Sequence, residues 1–242
     1  MKEYLASTDG DHLADVYDQW FGPVEEALID MLSELAKGRR ALELGIGTGR
    51  VALPLAARGV EVHGIDASDA MVSRLRAKPG GELLTVTMGN FADVLVEGEF
   101  SLIFIVFNTF FALLTQEEQV RCFRNVAAHL EVGGTFVVEA FVPDMTRFTG
   151  GQEVRTYAVT TEEVSLQLSQ HNSVSQRLKS QFVVLGNNEI KLYPVEIRYC
   201  WPSEFDLMAQ LAGLRLRHRW GTWSAGEFNS ASQKHISVYE RI

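Results

Sequence analysis

An apolar run that breaks into a glycine-rich turn, then a short amphipathic stretch, then a second apolar run ending in aspartate, constrains this chain more than any other feature. It occupies residues 40–66 and reads RALELGIGTGRVALPLAARGVEVHGID. Two such runs, neither with a polar face, read as neighbouring parallel strands, and parallel neighbours need a crossover, usually a helix packed on the sheet. The same rhythm continues, with strands expected at 40–44, 60–65, 83–88 and 100–107 and helices at about 49–58 and 68–77. The pattern predicts an α/β, Rossmann-like, doubly wound sheet of seven mostly parallel strands. At 242 residues the chain is long enough for one such domain carrying an insertion.

Upstream, Pro23 is placed to open a helix whose apolar face is Val24, Leu28, Met31, Leu32 and Leu35 and which Gly38 ends. Downstream, Thr115 and Glu118 form a capping box, and Val120, Phe123, Ala127 and Leu130 give the helix behind it one apolar face. A fifth strand is expected at Thr135–Phe141, after a Gly133-Gly134 turn. Period-two runs then take over, through Val164, Leu166 and Leu168 and through Tyr193, Val195 and Ile197, with a turn at Gly186-Asn187-Asn188 between them. These predict an antiparallel β insertion after strand five. A helix at about 203–212, capped by Ser203 and stopped by Gly213, and strands at 214–220 and 234–241 resume the first pattern. The resulting division is an N-terminal helical cap (1–38), a cofactor-binding core (39–141), the insertion (142–201), and a C-terminal helix with two strands that complete the core sheet (202–242).

The loop Gly45-Ile46-Gly47-Thr48-Gly49 departs from two phosphate-binding patterns. The dinucleotide fingerprint needs a glycine where Arg50 stands, and a Walker loop needs Gly-Lys-Ser/Thr. The spacing is E-x-G-x-G-x-G from Glu43, and a carboxylate there suits a ligand that carries an ammonium group. With Asp66 closing the next strand, the chain resembles the class I S-adenosylmethionine-dependent methyltransferases over about residues 15–141. The resemblance implies S-adenosylmethionine as cofactor. Gly45, Gly47 and Gly49 would allow its close approach, Glu43 would help hold its amino group, and Asp66, with Ala67 beside it, would accept the ribose hydroxyls. Met71 either packs under the adenine or belongs to the helix core. Where the family often has Gly-Asp this chain has Gly89-Asn90-Phe91, so Asn90 would accept the adenine amino proton and Phe91 would stack on the ring.

The strand-four exit, Phe107-Asn108-Thr109-Phe110-Phe111, lacks the Asn/Asp-Pro-Pro-Tyr/Phe of enzymes that methylate bases or glutamine amides, and it lacks the aspartates of metal-dependent catechol enzymes. No metal is expected. With 22 basic against 31 acidic residues and a formal charge of -9, nucleic acid is an unfavoured partner. The MKEYLASTDGDHL start has no secretory-signal pattern and no run is long enough for a membrane span, so a cytoplasmic protein with a small-molecule acceptor is expected. Tyr17 and Trp20 resemble the aromatic segment that closes over the cofactor in N-methyltransferases acting on amino acids and amino sugars; stapling the first helix to the core is the other role open to them. An aromatic enclosure is expected from these two with Phe107, Phe110 and Phe111. Tyr17, Glu139 and His171 are the candidate catalytic groups, with His12 a further base; for Glu139 a buried, fully partnered acid is the competing role. The insertion would roof the acceptor or form a homodimer contact. The expected reaction is methyl transfer to nitrogen, less favourably oxygen. The alternative is a protein of the same fold that keeps the cofactor without methylating, as a cyclase or binding module. The cysteines, Cys122 and Cys200, lie in apolar patterns and are expected to be buried and inert.

Overall fold

Short strands that are apolar on both faces need helices on both sides, and the computed structural model, which describes residues 7–186 and 189–242, supplies them. Two short helices, α1 (Thr8–Leu13) and α2 (Tyr17–Phe21), precede α3 (Glu26–Ala36). Then follow β1 (Arg40–Leu44), α4 (Ala52–Ala57), β2 (Glu61–Asp66), α5 (Asp69–Arg76), β3 (Thr85–Met88), β4 (Phe100–Ile105), α6 (Gln116–His129) and β5 (Leu130–Phe141). A separate antiparallel sheet comprises β6 (Gln152–Val159), β7 (Glu163–Asn172), β8 (Arg177–Gly186) and β9 (Ile190–Arg198). The chain closes with α7 (Pro202–Leu211), β10 (Leu214–Trp220) and β11 (Lys234–Arg241). Among the described residues the core sheet has seven strands in the order β10-β11-β5-β4-β1-β2-β3, with β11 antiparallel to both β5 and β10.

Alternate residues of the central strands feed opposite layers. Leu42, Leu44, Ile103, Ile105, Phe136 and Val138 pack with Phe123 and Val126 of α6 and Phe205 of α7. Ala41, Leu102, Phe104, Val137, Ile236 and Val238 pack with Leu28 and Leu32 of α3 and Leu55 of α4. Both cysteines are buried free thiols in the core.

Several boundaries differ from the sequence expectation. Helix α3 begins at Glu26 with the extended Glu25 as its N-cap, so Pro23 lies in a bend before the helix rather than at its first position. Helix α7 begins with Pro202 at its first turn; Trp201, not Ser203, is the N-cap, and Glu204 closes the end by accepting the Trp201 N–H at 2.9 Å. Strand β5 runs through Gly133 and Gly134 from Leu130, with Gly133 at φ +77° absorbing the irregularity where the pairing with β4 shifts. The Thr115–Glu118 capping box forms as expected. The turn placed at Gly186-Asn187-Asn188 falls on Asn187 and Asn188, which lie outside the described residues.

The core also contains an acid-sensitive group. His235 on β11 is fully buried, with Nδ1 2.8 Å from Ser237 Oγ and the ring edge-on to Phe205 and Phe228. Burial, with the charge of Arg219 adding to it, depresses its pKa from 6.5 to about 3. Stability conferred by the neutral ring is therefore present above pH 6.5 and is lost as pH falls towards 3, by about 3 kcal/mol at pH 4.5. His235→Gln should shrink the difference in unfolding free energy between pH 7 and pH 4.5 by about that amount; an unchanged difference would show that other groups set the acid limb.

Candidate active site

The carboxyl ends of β1, β2, β3 and β4 meet at one edge of the core sheet, where ligands bind in open α/β folds. The glycines after β1 divide their work. A Cβ on Gly45 would lie 2.5 Å from Thr109 Cγ2, and one on Gly49 would collide with Leu75, so these two permit close packing. Gly47, at φ +54°, would place a Cβ in open space, 4.0 Å from its nearest neighbour, the Gly45 carbonyl oxygen. Its N–H donates to Asp66 Oδ2 at 2.7 Å, while Ser68 N–H donates to Asp66 Oδ1 at 2.9 Å. With these bonds made, the Asp66 carboxylate keeps acceptor capacity for a ligand hydroxyl. Burial pushes the Asp66 pKa up, against the pull of the Ser68, Gly47 and Ala67 N–H groups.

Glu43 lies beneath this loop and does not line the cavity described below. Only 4% exposed, it has one oxygen, Oε2, without a hydrogen-bond partner among the described residues. Burial first, and Asp66 second, raise its pKa well above the carboxylate range, with Arg50 and the Ala52 N–H opposing. Glu43, expected to help hold a ligand amino group, is thus a buried acid at the end of β1 that is not among the residues lining the cavity.

The strand-four exit is strained. Phe107 and Asn108 both take positive φ, +54° and +64°, which is costly for a bulky aromatic residue. Glu139 holds this turn, its Oε2 accepting the Phe107 N–H at 3.0 Å while Oε1 accepts from Trp223 Nε1 (3.2 Å) and Lys234 Nζ (2.8 Å). Asn108 Oδ1 accepts the Phe141 N–H at 2.7 Å. Glu139 is therefore a partnered structural acid, turned away from the main cavity, and not the base considered for it. The turn delivers Phe107 to the cavity, but Phe110 and Phe111 point into the core against Phe205, so the expected aromatic enclosure loses those two rings. Asn90, Phe91, Ala67 and Met71 do line the cavity. Asn90 Oδ1 already accepts the Ala92 N–H at 2.9 Å, which leaves it one lone pair for an adenine amino group.

Helices α1 and α2 are fastened across this edge. Thr48 Oγ1 donates to Asp18 Oδ1 at 2.6 Å, and Lys78 joins Asp18 Oδ2 (2.7 Å) to the Thr48 carbonyl (2.8 Å). Arg50, which sequence reasoning noticed only for breaking the dinucleotide pattern, donates to the Phe21 and Gly22 carbonyls and lies 3.8 Å over the Phe107 ring, with Tyr17 and Phe21 beside it. Burial raises the Tyr17 pKa, with Arg50 opposing, and keeps the phenol a neutral donor. Trp20 reaches the second sheet, edge-on to Tyr193 at 4.8 Å and tilted against Phe182 at 6.0 Å.

These parts enclose one cavity of about 1090 Å³, with Gly45, Gly47 and Asp66 at one end and Arg155, Tyr157, Gln167, Ser180, Phe182 and Ile197 of the second sheet forming a far wall. Of the candidates, Tyr17, Trp20, Gly45, Gly47, Asp66, Ala67, Met71, Asn90, Phe91 and Phe107 line it; Glu43, Gly49, Glu139 and His171 do not. His171 shares the sheet face of Gln167 but sits at the end of β7, where it bonds Tyr199 Oη at 2.9 Å and stacks on Phe148, and His12 is exposed on α1. Asp9 and Gly10 of α1 also line the cavity and carried no recognisable sequence signal. Among the described residues no cluster of three His, Cys, Asp or Glu is placed to hold a metal ion, and no helix is long and apolar enough to cross a membrane.

The open space at Gly47, the Asp66 carboxylate and the apolar slot of Met71 and Phe91 fit the ribose and adenine of S-adenosylmethionine. Comparison with known proteins agrees. A family model described as a methyltransferase domain matches residues 41–134. The CcbJ methyltransferase from Streptomyces caelestis is 42% identical, with 98% of this chain and 99% of that chain covered and a TM-score of 0.91. Cypemycin N-terminal methyltransferase from Streptomyces sp is 27% identical over 84% of each chain. An S-adenosylmethionine-bound amino pentose methyltransferase, CalS10 from Micromonospora echinaspora, shares the fold at 19% identity, a TM-score of 0.71, and coverage of 100% of this chain and 99% of that one.

Proposed function

We propose, starting from the fact that this chain belongs to the class I S-adenosylmethionine-dependent methyltransferases, that it moves the methyl group to a nitrogen of a small acceptor lodged against the antiparallel sheet. The observation that carries this is the continuity of the cavity. Its volume of about 1090 Å³ exceeds what one drug-sized ligand needs, and it runs from the Gly47–Asp66 cradle to a wall that mixes Arg155, Gln167 and Ser180 with apolar side chains. Nitrogen is favoured over oxygen by the cypemycin relative, whose name specifies an N-terminal acceptor.

The bound cofactor supplies a methyl group already activated by the sulfonium charge. What remains for the protein is alignment and exclusion of water. Asp66 and Gly47 fix the nucleoside end, Phe107 is presented by its strained turn, and Tyr17 and Trp20 cover the site from α2. The segment 142–201 serves as the acceptor wall. The outer face of its sheet, where Val154, Leu168, Ile190 and Leu192 are exposed, supports a contact between two copies as its second role.

Incubation with methyl-labelled S-adenosylmethionine and a panel of small amines and alcohols tests the reading. Label on nitrogen of one product class is the expected result. Substrate converted without label would establish the cyclase alternative, and label on oxygen alone would overturn the choice of atom.

A further inference from the structure

Helix α1 contributes Asp9 and Leu13, one helical turn apart, to the cavity wall. Its position is fixed on both sides. A Cβ on Gly10 would lie 2.7 Å from Ser68 Cβ and 3.2 Å from Met71 Cγ, so only glycine lets α1 rest against the start of α5, and Asp11 Oδ1 accepts the Ser68 hydroxyl at 2.6 Å. On the other side the backbone N–H of Glu196 on β9 donates to the Asp9 carboxylate. Asp9 Oδ1 is closed off from solvent and has no hydrogen-bond partner among the described residues. A buried carboxylate oxygen without a donor is costly, and because Asp9 lines the cavity, a turn of its side chain would offer that oxygen to a ligand that brings a donor. The charged groups around it do not supply one. Glu196 is paired with Arg177 and Lys179, Asp15 with Arg74, and Asp11 and Asp66 are acids engaged with Ser68 and the loop. Burial, reinforced by Glu196 and opposed by its N–H, raises the Asp9 pKa to about 7.

We propose that Asp9 receives the nitrogen of the methyl acceptor on its unpartnered oxygen and takes its proton, so that the acceptor is a protonated primary or secondary amine. This rests on the nitrogen-methylation reading above. The ammonium gives one proton to the Asp9 carboxylate. The freed nitrogen lone pair then forms the N–C bond as the C–S bond of the sulfonium breaks, with that electron pair remaining on sulfur. The methylated amine leaves as an ammonium, and Asp9 returns its proton to solvent. A base of this strength matches an α-amino-type group, whose ordinary pKa is about 8, better than an alkylamine near 10.

The test uses the full-length protein with alaninamide and glucosamine as amine probes. In the wild type the Asp9 side-chain carboxyl, followed by carbon-13 NMR and assigned by its loss in Asp9→Asn, should titrate near neutrality and shift when alaninamide is added. Methyl transfer to a probe should rise as pH passes through 7. Asp9→Asn should lose this limb and about 10²-fold or more in kcat, in the range of general-base effects, while binding S-adenosylmethionine within twofold of wild type. Asp9→Glu should restore part of the rate. The proposal is overturned by a carboxyl that titrates near 4, by Asp9→Asn turning over at the wild-type rate, by an Asp9→Asn defect confined to cofactor affinity, or by a wild type that binds the cofactor and labels neither amine. A wild type that does not bind S-adenosylmethionine would instead overturn the methyltransferase reading itself.

Discussion

Gly47→Val should abolish measurable cofactor binding while leaving the sheet folded. With the loop in its present shape, a side chain at residue 47 projects into open space at the cavity wall, where the cofactor is proposed to bind. A β-branched residue at φ +54° is also strained, and relaxing that strain would break the 2.7 Å bond from the Gly47 N–H to Asp66 that orients the carboxylate. Strain and lost ligand space together are worth about 3–5 kcal/mol, on the order of 10²- to 10³-fold in affinity. Equilibrium dialysis against S-adenosylmethionine measures the loss, and circular dichroism checks the fold. Affinity within threefold of wild type would place the ligand elsewhere.

Deleting residues 1–22 should cost turnover about 10²-fold or more without unfolding the core. The core sheet and its two apolar layers begin at α3 and β1, and the deleted segment is joined to them chiefly at the site itself, through Asp18 to Thr48 and Lys78, through Asp11 to Ser68, and through Arg50 to the Phe21 and Gly22 carbonyls. Removing it uncovers the cavity along Tyr17 and Trp20 and leaves Arg50 without those acceptors. Water then reaches the reacting centre, and misplacement of about 1 Å carries a penalty of this size. Single-turnover label transfer at saturating cofactor separates the effect from weaker binding. An undiminished rate in the truncated protein would reduce α1 and α2 to a structural staple.

What was legible in the sequence follows from the range of the interactions. Strand, glycine turn, helix and Asp66 are read from neighbours in the chain, and the structure places Gly47 and Asp66 side by side, joined by a hydrogen bond that the pattern does not announce. Glu139 looked like a base because an acid inside an apolar strand is rare. Its partners, Trp223 and Lys234, arrive from the far end of the chain, and local pattern does not reveal them. Phe110 and Phe111 share the strand-four exit with Phe107, but the left-handed turn at Phe107-Asn108 sends only the first ring to the cavity, and neither residue type announces that backbone. Asp9 and Arg50 were missed for the same reason: their roles arise where α1 and α2 fold back across the sheet edge, a contact between segments with no shared periodicity.

The central claim, that the Gly47–Asp66 cradle holds S-adenosylmethionine, is tested most directly by calorimetric titration of the wild-type protein and Asp66→Ala with that ligand. The account predicts a single site in the wild type and a loss of about 1–3 kcal/mol in Asp66→Ala, because one charged acceptor serving two hydroxyls is removed. Equal affinity in the two proteins, or binding of a nicotinamide dinucleotide in place of S-adenosylmethionine, would contradict it.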